Sequence, residues 1–323
     1  MSIHSQGILR RNFCLCCVGM GALAASGVSL SPSQVFAKAQ GIVDKMRGAA
    51  ATAEITTHKI RGGFAVLEGS GGNILALPGA DGTLLVDAGI TASEPRIKQS
   101  LADFKAAPVR QLINTHWHFD HADGNEWMGR DGAHIIAQQN TLRHLHEAQR
   151  VEDWDFDFPP APPKALPTEV FGASHDMAMN GETLKLVHYE GGAHTDSDIY
   201  VLFEKNNVLH VGDTYWNGIY PFIDYSTGGS IDGTIRALEK NLALADRDTI
   251  IIPGHGMPVS NRAEMLEFHD MLVAIRDNVA RLKAKGMTLA QTQAEKPTKA
   301  FDAKWGQFVI GPDFFTKLVY EGV

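Results

Sequence analysis

The sequence predicts an α/β layered fold on three observations. Short apolar runs bounded by Gly, Pro and Asp recur along the chain, the pattern of strands closed by turns. Between them lie segments with apolar residues at three- and four-residue steps, the pattern of amphipathic helices. The two kinds alternate without a strict strand–helix–strand rhythm, which fits mixed layers better than a purely parallel sheet. With 323 residues, 44% hydrophobic and 20% charged, the chain has material for one large domain or two ordinary ones.

Residues 40 to 61 carry no motif. From residue 62, "GFAVLEG", "NILALPG" and "TLLVDAG" read as consecutive strands. "TASEPRIKQSLADFKAAP" reads as a helix: a Thr or Ser cap, Pro95 early, and Ile97, Leu101 and Phe104 on one face. "VRQLIN" and "AHIIAQ" are strands, and "QNTLRHLHEAQR" is a helix. Residues 153 to 167, "DWDFDFPPAPPKALP", carry five prolines and three aromatics and read as a loop. Strands follow at "LKLVHY", "DIYVLFE", "NVLHVGD" and "DTIIIPGHG", with a helix from about Asp232 to Ala245. From Asn261 a long helix carries Met265, Phe268, Leu272, Ile275, Val279 and Leu282 along one stripe. That stripe suits packing on its own domain, or a homodimer face. The final segment reads as a shorter helical or irregular cap.

The first 39 residues read as an export signal. Arg10 and Arg11 precede a small-residue apolar run, and Ala37 and Ala39 offer a cleavage site. The paired arginines resemble a twin-arginine signal, which implies export to the periplasm after folding. All three cysteines, Cys14, Cys16 and Cys17, lie inside this segment. Cleavage after Ala39 leaves no cysteine, and thus no disulfide, thiol nucleophile or thiolate ligand. It also removes three positive residues and no acids, moving the formal charge from −8 to −11. Such a chain suits neither nucleic acid nor an anionic membrane as main partner, and a small-molecule substrate is expected instead.

Residues 113 to 125, "INTHWHFDHADGN", place His116, His118, Asp120 and His121 within six positions at a strand end. Imidazole and carboxylate donors together suit a borderline metal such as zinc. On extended backbone His116 and His118 could point the same way, while Asp120 and His121 in a tight turn could aim at two neighbouring positions. His194 in "GGAHTDSD", Asp213 in "HVGDTYW" and His255 in "PGHG" are further candidates at loop ends. Asp213 also reads as a turn cap, and His188 and His210 read as structural or solvated histidines.

"HWHFDH" followed by His194, Asp213 and "GHG" resembles the metallo-β-lactamase superfamily of metal-dependent hydrolases, over roughly residues 62 to 260. The resemblance implies a four-layer αβ/βα sandwich with two metal ions at one edge between its sheets, followed here by a helical extension over 261–323. It implies that His116, His118 and His194 bind the first ion. Asp120, His121 and His255 would bind the second, and Asp213 would bridge both. Two zinc ions are expected, with iron or manganese as alternatives. Asp87, closing "LLVDAG", matches a strand-end aspartate that supports the ligands in the family, although it also reads as a turn former. The implied chemistry is hydrolysis of an ester, lactone, thioester or lactam by a hydroxide between the metals, with Asp120 handling its proton. The absence of a ligand cysteine points away from one β-lactamase subclass and leaves another open. A mononuclear iron persulfide oxygenase on the same scaffold is the redox alternative, and a non-catalytic exported binding protein the third. Tyr215, Trp216, Asn217, Tyr220 and Phe222 are candidate pocket residues, with Trp154 to Phe158 opposite, although such aromatics also serve cores.

Overall fold

The computed structural model describes residues 41–323, so the export signal expected over 1–39 lies outside the described residues. The first half of the chain builds one seven-stranded sheet and several helices, two of which cover its outer face. It runs Ile42–Ala50 (α1), Thr56–Lys59 (β1), Ala65–Glu68 (β2), Ile74–Leu77 (β3), Thr83–Val86 (β4), Glu94–Asp103 (α2) and Val109–Ile113 (β5). It continues through Phe119–Ala122 (α3), Asn125–Arg130 (α4), His134–Gln138 (β6), Gln139–His146 (α5), Gln149–Val151 (β7), Phe156–Phe158 (β8) and Glu169–Phe171 (β9). Seven strands pair in the order β1-β2-β3-β4-β5-β6-β9, antiparallel from β1 to β4 and parallel from β4 to β9. The motif-free segment before residue 62 thus supplies both a helix and an edge strand. The proline-aromatic stretch is more ordered than a loop, because β8 pairs antiparallel with β7.

The second half runs Ser174–Met179 (β10), Glu182–His188 (β11), Ile199–Phe203 (β12), Val208–His210 (β13), Trp216–Asn217 (β14), Ile231–Leu244 (α6), Ile250–Ile252 (β15) and His255–Gly256 (β16). Arg262–Ala284 (α7), Leu289–Ala294 (α8), Asp302–Trp305 (α9) and Pro312–Gly322 (α10) follow. Its five-stranded sheet has the order β10-β11-β12-β13-β15.

Three buried clusters define four layers. Between the sheets, Val66, Leu84, Val86 and Ile113 of the first meet Leu184, Leu186, Val201 and Phe203 of the second. Because strand residues alternate faces, Leu67, Leu85 and Leu112 point outward instead, onto Ile97 of α2 and Trp127 and Met128 of α4. Behind the second sheet, Leu209 and Val211 pack with Leu238 of α6, Phe268 and Leu272 of α7, and Phe315 and Leu318 of α10. The same cluster takes in Ile42 and Val43 of α1. The C-terminal helices therefore complete a helical layer of the sandwich. The α7 stripe, from Met265 to Val279, is spent inside its own chain. Asn261 caps that helix by accepting from the backbone N–H groups of Ala263 and Glu264, and truncating Phe268 to alanine would cost about 3–5 kcal/mol. No helix among the described residues is long and apolar enough to cross a membrane.

Candidate metal centre

The donors come from loops at one edge of the sandwich. Strand β5 ends at Ile113, and the chain turns through Thr115, His116 and His118 into α3, which carries Asp120 and His121. His194 lies in the loop between β11 and β12, Asp213 in a 3₁₀ turn after β13, and His255 on β16. All seven residues are at most 6% exposed. They gather as two groups able to hold a cation, His116, His118, His194 and Asp213 in one, and Asp120, His121 and His255 in the other. Within each group the donor atoms lie within 4.8 Å of one another. Asp120 and His121 thus converge on one position instead of serving two, since a single turn of α3 brings both against His255.

Asp213 stands between the groups. Its Oδ2 lies 3.5 Å from His194 Nε2 and 3.3 Å from His255 Nε2, while Oδ1 lies 3.0 Å from His121 Nε2. Asp120 Oδ2 is 3.1 Å from His255 Nε2. Two glycines permit this crowding. A Cβ on Gly72 would sit 2.2 Å from the His121 ring, and one on Gly254 would sit 2.0 Å from Asp213 Oδ1.

Four of the five histidines are braced through the nitrogen that faces away from the centre. Asp87 Oδ2 receives His121 Nδ1 at 2.8 Å and the Thr115 hydroxyl at 2.8 Å, while its Oδ1 accepts the Thr115 N–H. With its proton given to Asp87, the Thr115 oxygen accepts from His116 Nδ1 at 3.0 Å. His194 Nδ1 donates to the Phe222 carbonyl at 2.9 Å. His118 Nε2 donates to Asp224 Oδ2 at 3.0 Å, which turns its Nδ1 lone pair toward the centre. These bonds fix tautomer and ring orientation, leaving lone pairs aimed inward. Asp87, at φ +67°, is both turn former and brace.

Asp224 is the functional residue that sequence reading missed. It also accepts from Thr227 Oγ1 and Ser226 N, and Trp117 Nε1 donates to Thr227 in turn. The aspartate–hydroxyl pattern in "DYST" was its one visible signal.

The electrostatics favour a cation. Burial opposes charge on both His121 and His255, but Asp213 and Asp120 outweigh it, raising His121 well above its ordinary range and His255 to about 9. Burial likewise opposes the Asp213 charge, yet His255, His121 and His194 hold it well below the usual carboxylate range. Burial, joined by the charges of His121, His118 and His194, drives His116 well down. His116 Nε2 and Asp213 Oδ1, both buried, have no hydrogen-bond partner. Carboxylates that hold protons on neighbouring imidazoles, beside orphaned lone pairs, form a donor set that fits divalent metal.

Beside the centre lies a cavity floored by Trp154, Trp216 and Phe222. Trp216 packs on the His255 ring at 4.2 Å between centroids, and Trp154 stacks on Phe222 at 4.8 Å. Tyr215, Asn217 and Tyr220, expected in the same wall, do not line it. Around the extended β14, side chains alternate, so Trp216 faces the cavity while its neighbours face away. The Tyr215 hydroxyl bonds Ser260 at 2.9 Å and its ring meets Phe268. Asn217 donates to Met257 O and Glu264. Tyr220 donates to Asp302 and stacks on Phe315. Phe158 packs on Trp117 and Phe119. His210, as expected, is a satisfied core histidine, placed between Asn73 O and the Gly212 N–H.

The chain belongs to the metallo-beta-lactamase superfamily, whose family model matches residues 67–255. It is 24% identical over 157 residues to Metallo-beta-lactamase type 2 of Bacteroides fragilis, covering 48% of this chain and 57% of that protein. To Metallo-beta-lactamase IND-1 of Chryseobacterium indologenes it is 25% identical over 148 residues, covering 46% of this chain and 56% of that protein. It thus spans little more than half the length of these two relatives. Among solved structures, a metallo-beta-lactamase from Pontibacter korlensis superposes with TM-score 0.54 at 18% identity, over 68% of this chain and 99% of that one. The inverting sec-alkylsulfatase Pisa1 from Pseudomonas sp. superposes with TM-score 0.58 at 15% identity, over 83% of this chain and 50% of that one. At these identities the likeness shows the fold alone.

Proposed function

We propose that this chain is a metal-dependent hydrolase that holds two cations, zinc in the first instance, and cleaves an ester, lactone, thioester or lactam bond in a small substrate. The observation that carries the reading is the position of Asp213, one carboxylate in reach of histidines from both donor groups. His116, His118 and His194 would hold one ion and Asp120, His121 and His255 the other. Bound there, the ions would supply Lewis acidity and lower the pKa of a bound water.

The remaining work falls to the chain. Asp87, Thr115, Asp224 and the Phe222 carbonyl keep four imidazole rings from rotating. Asp120 lines the cavity with its Oδ2 beside His255. There it orients the attacking water, takes a proton from it as the water oxygen bonds to the carbonyl carbon, and passes that proton to the leaving group as its bond breaks. The aromatic floor excludes bulk water, which strengthens each of these interactions.

The test is elemental analysis of the folded protein, then a screen of ester, thioester, lactone and β-lactam substrates before and after chelation. Two zinc ions per chain and a chelator-sensitive hydrolysis are expected. A single iron with substrate-dependent oxygen consumption would end the hydrolase reading. We also assign the protein to the periplasm, on the strength of Arg10, Arg11 and the Ala37–Ala39 site. Fractionation of cells lacking the twin-arginine transporter should then retain it in the cytoplasm.

A further inference from the structure

The wall around the metal centre is built without charge. Opposite the aromatic floor, the cavity is closed by Ile42 and Met46 of α1 and by Phe308, Val309 and Ile310, the turn that leads into α10. Both closing segments lie outside residues 67–255, the span matched to the family. Apart from the proposed metal ligands, no described residue lining the cavity is ionisable. The nearby cations are engaged elsewhere. Arg47 lies over the Phe119 and Phe156 rings and pairs with Asp123, while Lys317 pairs with Asp153 and Glu321. Outside the donor set the wall side chains carry two nitrogen atoms, the indole N–H groups of Trp154 and Trp216, and neither is exposed to the cavity. Both are buried and without a hydrogen-bond partner.

Among the described residues, positive charge would therefore sit only where the bond is cleaved. A carboxylate or phosphate on any other part of a substrate would lose its water against Ile42, Met46 or Val309 and gain no counter-charge. An alkyl or acyl chain would gain from the same burial. Resting on the hydrolase reading above, we infer that the substrate is a neutral ester or thioester, with an uncharged apolar chain seated between α1 and the 308–310 turn. Anionic lactams and other acid-bearing esters are poor substrates.

The zinc-loaded protein is assayed with p-nitrophenyl hexanoate and with the mono-p-nitrophenyl ester of adipic acid, a chain of equal length ending in a carboxylate. The neutral ester should be favoured by at least about 100-fold in kcat/KM. Met46→Lys, at a half-buried position, should shrink that preference at least about tenfold by raising turnover of the adipate ester. Val309→Lys is the second site should the first variant fold poorly. Binding gives an independent readout: hexyl methyl ketone should perturb tryptophan fluorescence, and its ω-carboxylate counterpart should not. Equal or better turnover of the adipate ester, or equal binding of the charged ketone, overturns the inference and leaves the hydrolase reading intact. If no ester or thioester is cleaved yet only the neutral ketone binds, the apolar cavity stands and the hydrolase reading fails.

Discussion

The donor centre and the cavity beside it share Asp120, His118, His194, Asp213 and His255, yet they are built on opposite principles. The centre is seven buried polar side chains, four of its histidines braced by hydrogen bonds and all lying within the family-matched span. The cavity's remaining wall is apolar, with no bracing bonds, and is closed by segments from outside that span. The difference teaches that holding a cation requires directional geometry, whereas holding an apolar chain requires only shape and dryness. The centre should therefore fail abruptly when altered, and the wall should change by degrees.

The largest expected effect is at the shared carboxylate. Asp213→Ala should abolish binding of the second ion and lower activity by more than about 100-fold, beyond the loss typical of an outer residue. Metal titration by calorimetry checks it, and retention of both ions would break the contrast. Gly254→Ala should act similarly without removing any donor, because its Cβ would lie 2.0 Å from Asp213 Oδ1. In that variant the neutral ketone should still bind. Next come the braces: Asp224→Ala and Asp87→Ala should each weaken metal affinity about 10–100-fold. On the other side, Trp154→Ala should raise KM for an apolar ester about tenfold, with two ions still bound. The smallest effect is expected of Tyr215→Phe. Losing its bond to Ser260 should cost about 1 kcal/mol of stability in a denaturant titration, with KM unchanged.

Much of the donor centre was legible in the sequence, because its geometry is local. His116 to His121 are close neighbours in the chain, and His194, Asp213 and His255 each sit near glycine in a short motif. Asp224 was not legible, since the contact that gives it a role spans 106 positions to His118. Nor was the wall. Tyr215 and Asn217 look as suitable as Trp216 until the alternation of β14 turns them away. Ile42 and Val309 carry no motif, and only the packing of both ends of the described chain into one cluster brings them together. The same limit applied to the fold. Short apolar runs announced β2 to β4, whereas β10, "SHDMAM", alternates exposed residues with partly buried ones and resembles a loop.

The two segments that close the cavity also make this scaffold a convenient starting point for directed evolution. Positions 42, 46 and 308 to 310 touch the proposed substrate chain but supply no donor and brace no histidine. A library confined to these five sites could redirect selectivity while the reaction chemistry is inherited unchanged.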